Sequence, residues 1–403
     1  MNLPSYYNKN NFQNQYYYYN PGYFNQNFDE YQNHFSKIYN QYNNNIFNLN
    51  INNNNNNNIF NFKKTDEDDK QLAKLSLNLV KSQIGCRILQ EKSINDKKFA
   101  NELLFPELKN NLKEICCDLF GNYLIQILLD ILSLDNINEF LSVIQENLFE
   151  ICLTEHGSRV IQKLLDRIYN SPLLIEKLIN SLSNKDIGQL FKSPYANHMI
   201  QKYLTIVKEI EFKNFIYDYI YSNFMDIVKS KHGVCVVQKG LSEGNDIQKK
   251  KILEIIIDNI DKIMKDCFAN FLIQYLFTKF EKRKSEEILP IIEKIEENIV
   301  DYCQNKYSAS VIEKCFEKGE KKISEHIINN LLEYHSEYII DIILNSFGLY
   351  VIKKALNLNN TNLKEKVRNV IINNIQKIKE SNNGIKIIES LSNEYKEFSN
   401  LIK

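Results

Sequence analysis

The chain has 403 residues, with 50 basic and 50 acidic side chains and no formal net charge. Its 43% apolar content is ample for a core, yet no run approaches the roughly 18–20 apolar residues of a membrane span. Neutrality also removes any bulk electrostatic argument for a polyanion as partner, so such a claim has to rest on placed residues.

The first stretch, residues 1–62, is low in complexity. It holds 10 of the 24 tyrosines, including Tyr16 to Tyr19, and an unbroken asparagine run from Asn52 to Asn58. With so few aliphatic residues it cannot bury enough surface to offset chain entropy, and it reads as a disordered tail. Met1 to Asn20 is polar and carries no signal-peptide apolar block. The Asn/Tyr/Gln bias is of the prion-like type that can self-associate; the alternative is a coding-bias tail with no selected role. An acidic cluster, Asp66-Glu67-Asp68-Asp69, then stands where a helix N-terminus favours negative charge.

From about Leu72 the apolar residues recur at helical spacing, as in Leu124, Ile125, Leu128, Leu129 and Leu132. Ser171-Pro172 and Ser193-Pro194 both read as an N-cap followed by the first helical position. No alternating strand pattern appears, and residues 63–403 are expected to be all-α.

Within this region one hexapeptide recurs: a small residue, two variable residues, two apolar residues, then Gln, Glu or Lys. It reads GCRILQ from Gly85, GNYLIQ from Gly121, GSRVIQ from Gly157, ANHMIQ from Ala196, GVCVVQ from Gly233, ANFLIQ from Ala269, SASVIE from Ser308 and GLYVIK from Gly348. The last positions are separated by 36, 36, 39, 37, 36, 39 and 40 residues, and a worn ninth copy, GIKIIE, starts at Gly384. Such a period is the mark of a solenoid. On a helix the two variable residues and the final polar one stand at i, i+1 and i+4. Each copy is therefore expected to present three side chains on one face, with the apolar pair turned into the core. A merely wet helix face would scatter Lys and Glu there; it does not account for Gln in six of eight copies. A small residue at the start allows another backbone or a ligand to approach closely.

These copies resemble the repeats of the Pumilio (PUF) family of RNA-binding proteins, over about residues 72–403. The NYxxQ copy at Asn122, the SRxxQ copy at Ser158 and the VIEKC segment at Val311 carry the resemblance. It implies a right-handed α-solenoid of eight three-helix repeats of roughly 36–40 residues with end caps. The second helix of each would carry the triplet on the concave face, and each repeat would read one base of an antiparallel single strand.

By that resemblance Cys86, Arg87 and Gln90 form an adenine reader, as do Ser158, Arg159 and Gln162. Asn122, Tyr123 and Gln126 form a uracil reader, as do Asn197, His198 and Gln201, and Asn270, Phe271 and Gln274. Three copies depart from the family pattern. Val234, Cys235 and Gln238 lack the stacking plane and only lean to adenine. Ala309, Ser310 and Glu313 still point to guanine, because a carboxylate is acceptor-only and suits the two adjacent N–H donors of that base. Leu349, Tyr350 and Lys353 retain a ring for stacking but no edge-bonding first residue. Read in reverse, the copies imply the element 5′-UGUAUAUA-3′.

The resemblance further implies an mRNA 3′-untranslated-region binder that represses translation or hastens decay in the cytoplasm, recruiting a deadenylase complex or other repressors. The chain is expected to be a monomer, without membrane contact, cofactor or metal. The alternatives are a protein-binding helical solenoid with degenerate RNA recognition and a nucleolar ribosome-assembly relative. No P-loop, dinucleotide fingerprint or His-Glu-x-x-His motif suggests an enzyme. The eight cysteines form no Cys-x-x-Cys pair and read as reduced, partly buried thiols.

Overall fold

The structure is a computed structural model that describes residues 66–183, 185–279, 287–318, 321–358, 361–392 and 398. The tail read as disordered, residues 1–62, lies outside them. By its contacts the chain divides into two units, Met1–Asp69 and Lys70–Lys403. Among the described residues every regular element is helical, and none is long and apolar enough to cross a membrane. The acidic cluster forms the first turn of the helix Asp66–Leu79.

Each hexapeptide opens a helix. We label these α1 (Gln83–Asn95), α2 (Gly121–Ile131), α3 (Glu155–Ile168), α4 (Ala196–Ile206), α5 (Gly233–Glu243), α6 (Asn270–Lys279), α7 (Lys306–Lys318), α8 (Gly348–Leu356) and α9 (Asn382–Ser392). Consecutive members pack side by side from α1 to α9. A second row runs beside them: Leu134–Ile144, Pro172–Leu182, Ile210–Val228, Asp246–Asp258, Leu289–Glu296, Lys321–Tyr334 and Thr361–Asn373, each again packed on the next. Short helices such as Leu112–Cys117, Leu148–Leu153 and Ile339–Leu344 lead from the long row into the motif row. In Ile210–Val228 the long and short helices run on, broken at Asn223, where φ is −126° and ψ is 21°. The three-helix unit and the solenoid are thus present.

The apolar pair of each motif explains the lateral packing. Leu124 and Ile125, Val160 and Ile161, and Val236 and Val237 are all buried, and so are their counterparts to α8; only Ile88 of the first copy is partly open. Each such side chain contributes about 1.5–3 kcal/mol when withdrawn from water.

The small residue that opens the motif has a specific task. A Cβ on Gly157 would lie 2.4 Å from the carbonyl oxygen of Ile151, and one on Gly348 would lie 2.3 Å from that of Ile342. The helix begins directly over the last turn of the short helix six residues earlier. In the copy that begins with serine, the Ser308 hydroxyl donates to the carbonyl of Tyr302, again six residues back, at 2.8 Å. The close approach expected from the sequence is therefore one of backbone.

Capping follows a rule that the sequence also contains. Three residues before each small residue stands Ser82, Asp118, Thr154, Ser193, Ser230, Asp266, Asn305 or Asn345. Every one of these side chains accepts from the small residue's N–H, at 2.7–3.4 Å. Such caps are worth about 1 kcal/mol each and fix where the helix starts. Of the two Ser-Pro pairs, Pro172 does open its helix, though Ser171 makes no side-chain cap bond. Ser193 caps Tyr195 and Ala196, but α4 begins at Ala196, so Pro194 lies in the turn before it.

Candidate nucleic-acid interface

The motif helices bring all eight triplets onto one row, but not in the way the sequence suggested. The first residue of each triplet lies beneath the surface: Cys86, Asn122, Ser158, Asn197, Val234, Asn270, Ala309 and Leu349 are 0–3% exposed. The reason is packing. The neighbouring motif helices close over that side of each helix. The middle residue stands out, with Tyr123 at 50% and Tyr350 at 53%, and Arg87, Arg159, His198 and Ser310 are exposed as well. Cys235 and Phe271 are half-buried, and so are all eight final residues from Gln90 to Lys353. The open face therefore carries two side chains per copy, not three.

The buried first residue holds the final one in place. The Asn122 amide donates to the carbonyls of Asp118 and Leu119, at 2.8 and 3.0 Å, and its oxygen accepts from Gln126 Nε2 at 3.0 Å. Asn197 repeats this wiring between Ser193 and Gln201, and Asn270 repeats it between Asp266 and Gln274, with all bonds at 2.7–2.8 Å. The bond engages one N–H of the half-buried glutamine, whose amide also carries a second N–H and a carbonyl, a donor and an acceptor side by side.

The first and third copies are wired across the stack. The Cys86 thiol donates to the carbonyl of Phe120 at 3.0 Å, and the Ser158 hydroxyl donates to that of Tyr195 at 2.8 Å. Both acceptors are the residue just before the next motif. Gln90 and Gln162 then donate to Cys86 and Ser158, at 3.1 and 3.4 Å. In the third copy Arg159 is laid along its own helix by Glu155, 3.1 Å away.

Three copies lack this wiring. Val234, Ala309 and Leu349 fill the first slot with hydrocarbon. Gln238 instead donates to the carbonyl of Phe271 in the next copy, at 3.0 Å. Burial raises the carboxyl of Glu313, against the pull of Lys354. Burial also raises the Cys235 thiol and lowers the His198 imidazole, so at neutral pH the first is a thiol and the second an uncharged ring. Among the described residues no His, Cys, Asp or Glu cluster could hold a metal ion.

The capping residues and the pre-motif carbonyls belong to this site, and of them only Ser193 was expected as a cap. Their signal was available: a Ser, Thr, Asp or Asn stands three residues before the small one in every copy.

The family model of the Pumilio-family RNA binding repeat matches residues 111–144, 147–170, 223–257 and 298–332. The solved Puf4 RNA-binding domain, bound to the HO endonuclease RNA 3′ UTR recognition sequence, is 30% identical. It matches with a TM-score of 0.71 over 78% of this chain and 98% of that one. PUF-8 in complex with PBE-RNA, 22% identical with a TM-score of 0.67 over 81% of this chain and 94% of that one, shares the fold. Among curated proteins, Pumilio homolog 12 of Arabidopsis thaliana is 28% identical over 261 residues, which are 64% of this chain and 42% of the relative. Pumilio homology domain family member 4 of Saccharomyces cerevisiae is 32% identical over 124 residues, 30% of this chain and 14% of the relative. The chain thus spans less than half the length of these curated relatives. The repeated motif, the three-helix solenoid and the near-complete match to a solved RNA-binding domain place the chain in the Pumilio family of RNA-binding repeat proteins.

Proposed function

We propose that the exposed face of the motif helices binds single-stranded RNA in a sequence-specific manner, each copy reading one base. The observation that carries this is the triplet geometry. In copies 2, 4 and 6 a half-exposed amide is held by a buried partner at 2.7–3.0 Å, three residues after an aromatic ring that is exposed at Tyr123 and His198 and half-buried at Phe271. A glutamine so held offers a fixed donor and acceptor to a base edge, and the ring offers a plane. Stacking of that kind is worth about 1–3 kcal/mol per base. The edge contacts supply selectivity, because the wrong base leaves a desolvated polar group unpaired.

The preferred element is 5′-UGUAUAUA-3′, with copy 8 meeting the 5′ base and copy 1 the 3′ base. Its natural setting is the 3′-untranslated region of cytoplasmic mRNA, where the bound protein, acting as a monomer, represses translation or hastens decay. A deadenylase complex or other repressors would dock away from the reading face. The test is a labelled 5′-UGUAUAUA-3′ oligomer set against the same oligomer with its G replaced by A. Tighter binding of the first is expected; equal binding of both removes the sequence-reading claim. The apolar first slots Val234, Ala309 and Leu349 support a second reading, a protein-binding solenoid with degenerate RNA recognition. That reading is favoured if neither oligomer binds.

A further inference from the structure

The residue that follows the final triplet position is a lysine in five copies: Lys163, Lys202, Lys239, Lys314 and Lys354. On a helix it lies one turn past the exposed middle residue, on the same open face. These are the cations placed to meet a phosphate backbone drawn across the readers. None is available as a bare charge. Lys163 pairs with Asp130 of the preceding motif helix at 2.7 Å, Lys202 with Asp166 at 2.6 Å, and Lys354 with Glu317 at 3.5 Å. Lys314 also reaches Glu317, at 3.1 Å, and Lys239 is held by Glu243 in its own helix at 2.9 Å.

Three of the four carboxylates share one position. Asp130, Asp166 and Glu317 each stand eight residues after the first triplet residue of their copy. They thus fall one turn further along the same stripe. They are the more open partners, with side chains 54%, 43% and 45% exposed against 29%, 26% and 41% for Lys163, Lys202 and Lys354. The bond from Lys314, with the charges of Lys314 and Lys354, keeps the Glu317 carboxyl below its usual range. It is therefore ionised at neutral pH. A polyanion approaching this face meets carboxylates paired with the ammonium groups, and at Asp130 and Asp166 the carboxylate is clearly the more exposed of the two.

We propose that this lysine–carboxylate ladder is an electrostatic clamp that holds down the sequence-independent part of RNA affinity. It rests on the reading that RNA lies along the motif helices. The physical basis is counterion release. Each phosphate neutralised by a lysine adds a salt-dependent, sequence-blind increment to binding. A lysine already paired with a carboxylate releases no counterion and gives little of that increment. Binding is then left to base stacking and edge contacts, and RNAs lacking the element are not retained by charge. The zero net charge of the chain points the same way.

The test is the triple variant Asp130→Asn, Asp166→Asn and Glu317→Gln in the full chain, compared with wild type on three eight-nucleotide RNAs: the proposed element, its G-replaced form and oligocytidine. A control variant, Glu139→Gln, Glu254→Gln and Glu325→Gln, removes the same charge from the row of long helices, where those residues pair with Lys109, Lys250 and Lys321. Unclamping is expected to raise oligocytidine affinity on the order of tenfold at about 50 mM salt. It should also steepen the salt dependence by about 3, at roughly 0.7 for each of the four freed lysines. The control is expected to change neither. The clamp is overturned if the triple variant leaves affinity and slope unchanged, or if the control raises them equally. Thermal melting monitored by circular dichroism confirms that each variant is folded. The G-replaced RNA reports on base reading separately, so loss of that discrimination in wild type removes the reading, while the oligocytidine response decides the clamp.

Discussion

Copies 2, 4 and 6 differ from copies 5, 7 and 8 at one buried position. In the first group an asparagine fills the slot, and its amide ties the helix's first turn to the glutamine one turn on. In the second group Val234, Ala309 and Leu349 fill the same space with no polar atom, at 3%, 1% and 0% exposure. Burial is the constant and chemistry the variable. Packing between adjacent motif helices demands a filler, and wiring the reader is an addition the stack tolerates but does not require. A wired reader is already ordered before RNA arrives. An unwired one such as Glu313 or Lys353 loses about 0.5–1.5 kcal/mol of rotamer freedom when it binds, whereas Gln238 is held instead by the Phe271 carbonyl.

The sharpest way to probe the unwired group is through its one anionic reader. Glu313→Gln exchanges a charged acceptor for a neutral amide at nearly constant shape. The preference for G over A at the second base of 5′-UGUAUAUA-3′ is expected to fall by about 1.5–3 kcal/mol, or roughly 10- to 100-fold, in competition binding. An unchanged preference would show that copy 7 does not read that base. The same residue sets a pH dependence. Burial raises its carboxyl in the free protein, and only the carboxylate accepts from both guanine N–H groups. G-dependent binding is therefore complete above that raised pKa and is lost as pH falls through it. The loss begins at a higher pH than an exposed glutamate would give. A pH titration of the G-to-A affinity ratio should show this decline in the wild type and a flat profile in the Gln variant.

Turning a wired copy into an unwired one should cost less. Asn270→Val copies the chemistry of the fifth repeat into the sixth. Gln274 loses its partner at 2.7 Å, and the Asp266 carbonyl keeps its backbone bond from residue 270. Discrimination of U from C at the third base is expected to fall by about 1 kcal/mol, while thermal stability holds within about 1 kcal/mol because valine suits the buried slot. A large stability loss with discrimination intact would mean that the asparagine serves folding and not reading.

Much of this was legible in the sequence. The hexapeptide period gave the solenoid, and the alternation of apolar pair and polar end gave the face. Glycine at the first position announced a close approach, which proved to be to the carbonyl six residues back. What escaped was the depth of the first triplet residue. Helical spacing puts Asn122 beside Gln126 on one face, but only the neighbouring helix decides which edge of that face is covered, and i/i+4 geometry carries no information about neighbours. The lysine ladder escaped for a related reason. Lys202 and Asp166 are 36 residues apart, so their pairing at 2.6 Å depends on the lateral step of the stack. The capping residues were visible at a constant offset and called only for alignment of the copies on one another.

The smallest effect is the most direct trial of the comparison, because it runs the other way. The paired substitution Leu349→Asn and Lys353→Gln installs in the eighth copy the wiring of the second. The geometry for it exists. Asn345 already caps Gly348, and its carbonyl stands four residues before position 349, as that of Asp118 does before Asn122. Tyr350 already offers an exposed ring, as Tyr123 does. The exchange removes a fully buried leucine, so a stability loss of about 1–3 kcal/mol is expected in thermal melts. Against it, preference for U over C at the first base of the element should rise by about 0.5–1 kcal/mol in competition binding, since a positioned amide discriminates those two pyrimidine edges better than an ammonium. A rise in selectivity together with a fall in stability would show that the eighth copy favours packing over reading at that slot. If selectivity does not rise in the folded variant, the wiring is not what makes copies 2, 4 and 6 readers, and the difference between the two groups has to be sought in the backbone step from one helix to the next.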